Sequence, residues 1–519
     1  MSWPAAGEQA GTPSSMFTVS FTDCARTTAW STCSVRYRPL RTATACLVLF
    51  FCLPGPPPTS DNGAGGTIHE RLRAPSVAIG TASLAKLPGR PVGPGQTPDR
   101  ESSGACDFLV DASVSTVNGL GNYQLIKAGH IVCILAGRRE GLTLKNLRGE
   151  SANPITFVNS GGVVEINSRG FAGIKISNSE HLRITGTGTS DRCGANVVAR
   201  SEQQCGFRIT APNGRGIAGR KGTSYIEIDH VETYATAYAG VSVLTTHEHD
   251  GITRAQFTQN DTVLHDNYIH HTGTEGLYIG SSRYTMRGID PVLRGVRIHN
   301  NLVADTGWDG IQVGSAVEDC AVHDNTIYRD SLANIRNQQS GIMINRGSVC
   351  DVFNNFLRDG FAAYGIYVQG SGGNKIYNNI IVNRLQNNGQ GITVAAGSNT
   401  GASIYVVQNT IVDIQRKGIN FKSTAGSDNR VQNNLLAGVR GQDIDGGIAL
   451  VSHNLSGLSV EAAKFRSVAA DDYSLHSDSP AIDAGVDLVP YGITEDCIGT
   501  PRPQGSGHDI GAYEFRVIK

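Results

Sequence analysis

The sequence predicts an all-β solenoid, and three observations carry that expectation. A glycine followed by an apolar–polar–apolar triplet recurs through the middle of the chain at intervals of 24 to 36 residues. A second short motif, of the form VHDNTI or IYNNII, alternates with it. Glycine accounts for 63 of 519 residues, and no heptad or amphipathic helical stripe appears, so turns are frequent and helices scarce. A period of this length without a helix signal means short strands wound into stacked coils.

The chain divides by composition. RYRPLR (36–41) is basic, and TATACLVLFFCLPG (42–55) is apolar and too short for a membrane span. Residues 1–55 therefore read as a leader and secretory signal, with translation expected to begin nearer Met16. Residues 56–104 are rich in Pro and Gly and read as a linker that buries no core. The repeat occupies 105–456, and 457–519 has a different character. A net charge of −1 with 17% charged residues gives no reason to expect nucleic acid as a partner. Eleven cysteines suit an exported protein. Neither CxxC nor a Cys/His spacing of the zinc type occurs. Cys193 and Cys205 can close a loop, and Cys320 and Cys350, one repeat apart, can stack or bond.

Each repeat alternates apolar and polar residues with period two, as half-buried strands do. Aligning EGLYIG, DGIQVG, SGIMIN, YGIYVQ, QGITVA, KGINFK and GGIALV puts Leu277, Ile311, Ile342, Ile366, Ile392, Ile419 and Ile448 in one inward column. Ile279, Val313, Ile344, Val368, Val394, Phe421 and Leu450 form the next. In the second motif Asn267, Asn301, Asn325, Asn355, Asn379, Asn409 and Asn434 recur, suited to a turn dihedral and to bonding neighbouring amides.

These GIxV and xNNxI strands, with an Asn at a tight turn on each coil, resemble the right-handed parallel β-helix of pectate lyases and many secreted polysaccharide lyases. The resemblance spans about 120–455. It implies three parallel sheets over roughly ten or more coils. It also implies an Asn ladder between the second and third sheets, and a substrate groove on the outer face of the first, the GIxV sheet. DYSLHSDSPAIDAG (472–485) and GHDIGAYEF (507–515) resemble a tail common on secreted bacterial β-helix proteins. They read as a cap over the open end edge, with Asp483 and Asp509 as turn residues. The calcium-binding acids and the lysine–arginine pair of the known lyases find no residue-by-residue match here.

The longest repeats surround Gly240, Gly276, Gly310 and Gly341, and their extra residues are expected to wall a groove. Its floor would be Ser242, Tyr278, Gln312, Met343 and Tyr367, continuing as Thr393, Asn420 and Ala449. HEHD contributes His247, His249 and Asp250, and Arg283, Arg287, Arg294 and Arg336 lie in nearby loops, suited to a carboxylate-bearing sugar. Glu275 and Asp309 stand at equivalent positions of adjacent coils, ~4.8 Å apart along the stack, where one carboxyl should be driven to hold its proton. His265, His299 and His323 share a second-sheet column and read as structural.

These features give a secreted enzyme acting on an acidic, uronate-containing polysaccharide, a lyase working by β-elimination. Arg283, Arg287 or Arg336 would mask the carboxylate; His247, His249 or an arginine would be the base; Tyr278 would be the donor. Gln312, Tyr367 and Asp250 would contact substrate. The alternatives are a glycoside hydrolase using Glu275 and Asp309, a uronate epimerase, and a non-catalytic glycan-binding or adhesive solenoid. No cofactor is firmly implied, although the two acids offer oxygen ligands suited to calcium. The expected partner is a polysaccharide, with no transmembrane span in the mature chain. The protein is expected to be monomeric and either extracellular, on the cell surface or in a bacterial periplasm.

Overall fold

The computed structural model describes residues 106–197, 200–285, 288–396 and 401–516. The expected leader, signal and linker lie outside the described residues, as does Arg287. Among the described residues no helix is long and apolar enough to cross a membrane.

The chain winds into a parallel β-helix. One turn runs from Leu277–Gly280 on the first sheet, through Val292–His299 on the second, to Leu302–Thr306 on the third. The first sheet holds 12 strands, from Thr116–Asn118 to Gln442–Asp445, each paired in parallel with its successor. The other two faces share backbone pairings as one 23-stranded assembly. Leu277, Ile311, Ile342, Ile366, Ile392 and Ile419 are all fully buried and directly in register. The recurring glycine is required by close approach. A Cβ on Gly310 would lie 2.6 Å from the Gly341 carbonyl oxygen and 2.9 Å from Ile327 Cγ2.

The asparagine ladder joins the coils at the corner between the second and third sheets. The Asn355 amide N–H and Nδ2 both donate to Asn379 Oδ1, at 3.1 and 2.9 Å. Its Nδ2 also reaches the carbonyls of Val322 and Phe353, each at 2.9 Å. The left-handed dihedral falls on the residue before each ladder Asn: Asp266, Asn300, Asp324, Asn354, Asn378, Gln408 and Asn433 have φ of 51° to 57°. The two roles expected of one Asn are therefore split between neighbours. The ladder extends one coil further, to Asn454.

Three features differ from the sequence expectation. AGIKIS (172–177) and RGIAGR (215–220) are first-sheet strands, so two early coils also carry the Gly-Ile signature. At the other end, Ile419 pairs with Ile444 and Asn420 with Asp445, so GQDIDG supplies the last coil and GGIALV does not. Ile448 is 56% exposed, Ala449 is out of the floor column, and Leu450 pairs with Arg430 on the second sheet. The C-terminal segment lies along the side of the coils, not over their end. Tyr473, Ala512 and Tyr513 cover Phe356, Ile380, Val382 and Val412, and Leu475, Ala481 and Ile510 cover Leu435 and Ala437. Asp509 accepts the Asp483 amide there, a turn-bracing role.

Disulfides join Cys106 to Cys133, Cys193 to Cys205, and Cys320 to Cys350, the last pair facing each other on adjacent second-sheet strands. Cys497 keeps a free thiol.

Asn355→Ala should cost about 2–3 kcal/mol, because the Asn325 amide and side chain lose their acceptor in a buried turn. Thermal unfolding followed by circular dichroism checks this; an unchanged midpoint would remove the ladder from its supporting role.

Candidate functional site

Register builds the outer face of the first sheet as two columns. Where the third sheet turns into the first stand Arg215, Ala239, Glu275, Asp309, Ser340, Tyr364, Gln390 and Lys417. Beside them run Ser242, Tyr278, Gln312, Met343, Tyr367, Thr393, Asn420 and Asp445.

Glu275 and Asp309 are neighbours but hardly meet solvent, being 3% and 0% exposed. Asp309 Oδ1 accepts the Ser340 amide at 2.7 Å, while its buried Oδ2 and the buried Gln312 Oε1 find no donor in hydrogen-bonding geometry. Burial, then the charge of Glu275, pushes the Asp309 carboxyl well above its ordinary value, and Ser340 tempers the rise. Burial also raises Glu275, against the pull of the Thr274 hydroxyl and Arg215. Asp330 adds to the field on Asp309 but is ion-paired with Arg384, both side chains fully buried. Burial thus raises both carboxyls, Asp309 the more strongly, and the pair presents no open carboxylate surface.

The loop residues form a separate group. His247–Asp250 is a single helical turn. The His247 amide donates to Asp290 Oδ1 at 2.9 Å, its ring Nδ1 is buried without a partner, and His249 is exposed. Asp250 is occupied by Arg220 at 3.3 Å and by the Lys221 amide at 3.2 Å. Arg283 pairs with Glu248, and Arg294 with Glu318 at 3.2 Å. Arg336 sits in an exposed loop. Tyr278 shares a hydrogen bond with the Ser282 hydroxyl at 3.1 Å, and burial raises its phenol. Part of the extra repeat length goes into longer second-sheet strands, Thr258–His265, Val292–His299 and Ala316–His323, and does not wall a groove. The expected floor is also covered: Ser242, Gln312 and Met343 are 1%, 2% and 2% exposed.

The open part of this face lies further along. A cavity of about 270 Å³ is lined by Tyr364, Tyr367, Gln390, Thr393, Arg416, Lys417, Asn420 and Lys422. The two tyrosine rings stack at 4.4 Å with an 11° interplanar angle. Gln390 Oε1 accepts from Asn420 Nδ2 at 3.2 Å and from Thr393 at 3.3 Å. Lys417 Nζ is held by Asp445 at 2.6 Å, while Arg416 and Lys422 are exposed at the rim. Burial raises the Tyr364 phenol, and Arg416 counters in part. Tyr367, Thr393 and Asn420 are the residues of this cavity that the sequence placed on the floor, Tyr367 as a substrate contact; Tyr364, Arg416, Lys417 and Lys422 were not singled out. Their signal was present in the column itself, where a tyrosine and a lysine follow the two acids.

The histidine column stacks ring on ring, His265 on His299 at 4.9 Å and His299 on His323 at 5.0 Å, continuing to Phe353 and Tyr377. Among the described residues Glu227, Asp229 and His265 converge closely enough to hold a metal ion, but Arg183 already bridges the two acids at 3.1 and 2.9 Å. Burial works against the His265 charge, yet Asp266, Glu227 and Asp229 hold its pKa up to about 10, so the ring is a cation in an ion-pair network.

Asp309 binds its proton more tightly folded than unfolded. Between its ordinary and folded values the folded chain carries more protons, so stability falls as pH rises through that window. Asp309→Asn should therefore unfold a few degrees above the parent at about pH 8 and with it at about pH 3, below the ordinary carboxylate value. Parallel scans at the two pH values check this; equal shifts at both would show that the carboxyl is not proton-holding.

A family model described as the right-handed beta helix region matches residues 288–462. No curated protein matches the chain. Among solved structures, a lacto-N-biosidase from Eubacterium ramulus is similar at 13% identity, with 68% of each chain covered and a TM-score of 0.44. A pectate lyase is similar at 12% identity, covering 79% of this chain and 97% of that one, with a TM-score of 0.41. An alginate lyase from Paenibacillus sp. strain FPU-7 is similar at 17% identity, covering 67% and 99%, with a TM-score of 0.35. By its repeat, its parallel register and the family match, the chain is a right-handed parallel β-helix protein.

Proposed function

We propose that the chain is an exported carbohydrate-active enzyme that binds an acidic polysaccharide along the outer face of the first sheet and cleaves it by β-elimination. The observation that carries this reading is the cavity itself. It combines a stacked tyrosine pair with Arg416, Lys417 and Lys422, and among the described residues its lining includes no carboxylate. Arginine forks a carboxylate bidentately, and lysine adds a compact charge. A uronate carboxylate so bound loses much of its negative charge, which acidifies the neighbouring C–H. Tyr367, in its phenolate form, then serves as the base that takes this proton and becomes a neutral phenol. The electron pair forms the new double bond, the glycosidic C–O bond breaks, and Tyr364, kept protonated by burial, donates to the leaving oxygen. The Asp445 contact holds the Lys417 ammonium at the cavity wall, which fits it for masking.

A second reading rests on a different observation. Glu275 and Asp309 are adjacent, and burial raises both carboxyls, Asp309 the more strongly, as the general acid of a hydrolase pair requires. Their burial means that the cover over this part of the face would have to open first.

Incubation with acidic and neutral polysaccharides, reading unsaturated product and reducing ends together, separates the two. The expected result is unsaturated product from an acidic substrate. Tyr367→Phe should lower kcat at least about a hundredfold, and Arg416→Ala should mainly raise KM. Reducing ends without unsaturation, abolished by Asp309→Asn, would establish the hydrolase instead.

A further inference from the structure

Five coils before Tyr364 on the same face lies a second arrangement suited to an acidic sugar. Arg215 opens the strand Arg215–Arg220, and its guanidinium lies 5.0 Å from the ring centroids of both Phe171 and Tyr238. Those rings are 45% and 47% exposed, so each keeps open surface beyond its contact with the arginine. Arg220 approaches Phe171 from the other end of the strand, at 6.0 Å. Among the described residues Arg215 has no hydrogen-bonded or ion-paired acceptor; Glu275 acts on it only through its field. A half-buried guanidinium with an unengaged fork between two open aromatic faces offers bidentate bonds to a carboxylate and stacking surface to a sugar ring.

We infer that Phe171, Arg215 and Tyr238 form a distal subsite for a uronate unit of the same polymer chain that occupies the Tyr364–Lys422 cavity. This rests on the acidic-polysaccharide reading above. At ~4.8 Å per stacked strand the two sites are about 24 Å apart, so only a long oligomer engages both. Between them the face carries Glu275 and Asp309, 3% and 0% exposed, so a chain crossing there meets covered carboxyls and not open ones. Occupying both sites with one molecule raises affinity by effective concentration, without requiring a strong contact at either.

The test compares binding of a galacturonate or mannuronate disaccharide with that of long oligomers of the same sugars, by calorimetry on the full chain. Phe171→Ala/Tyr238→Ala should weaken long-oligomer binding about tenfold and leave the disaccharide unchanged. Both rings are exposed, so folding should survive; an unchanged circular dichroism spectrum and melting point verify that. Arg215→Lys, which keeps the charge but loses the fork, should weaken the long oligomer alone. Long-oligomer affinity equal to the parent in both variants overturns the subsite while leaving the cavity reading intact. Weaker binding in these variants, with Arg416→Ala/Lys422→Ala unaffected, supports the distal site and overturns the cavity. No binding of any acidic oligomer by the parent chain overturns both.

Discussion

Every coil leaves buried polar groups at its corner that only the next coil can satisfy, and the rest of the structure depends on that exchange. The Asn side chain carries a donor and an acceptor, so it can accept from one neighbour and donate to the other with nothing left over. From Asn267 to Asn434 each member does this inside a buried corner, and Asn454 closes the ladder as its last acceptor. A slip of one residue would break the ladder and turn the Ile and Val columns outward together. Because the ladder pins the register, residues one period apart become spatial neighbours. The functional face is therefore a set of columns, and its chemistry follows from which side chains share one.

This explains what could be read from the sequence. The inward apolar columns and the ladder are legible because every coil repeats them. The slip at the last coil shows where the signal weakens. GGIALV copies the motif, but placing Ile448 after Ile419 needs 29 residues, whereas Ile444 needs 25, close to the shortest coil of 24. The structure takes the shorter path, and Ile444 packs against the core. Motif spelling was the weaker guide there, and coil length the stronger. Cys320 and Cys350, one repeat apart, were legible as neighbours for the same reason that the apolar columns were.

The site is less legible because its residues occur once. Glu275 and Asp309 were recognisable as a pair since both belong to a repeated position. Nothing in the repeat tells whether such a position is open or covered, and here both carboxyls are covered and burial raises both, where the sequence predicts that one is raised by its neighbour. Loop arginines are harder still: Arg283 and Arg294 both meet acids, which a linear reading cannot place. Asp250 likewise meets Arg220, about one coil earlier in the chain, across a contact that sequence separation conceals.

The distribution of charge along the face favours one kind of ligand. Cations stand at both ends, Arg215 and Arg220 at one and Arg416, Lys417 and Lys422 at the other. The acids between them would form a negative centre if ionised, and a polyanion lying across it would be repelled. Burial covers both carboxyls and raises them, most strongly Asp309, so the face presents cations at both ends and hardly exposes the acids between them. For a neutral polymer this arrangement would bring nothing, since hydroxyls bind equally well to the amides and tyrosines alone. For an acidic polymer it removes the one obstacle to continuous contact. The covering of Glu275 and Asp309 is then a property of this face, whether or not either carboxyl also takes part in a reaction.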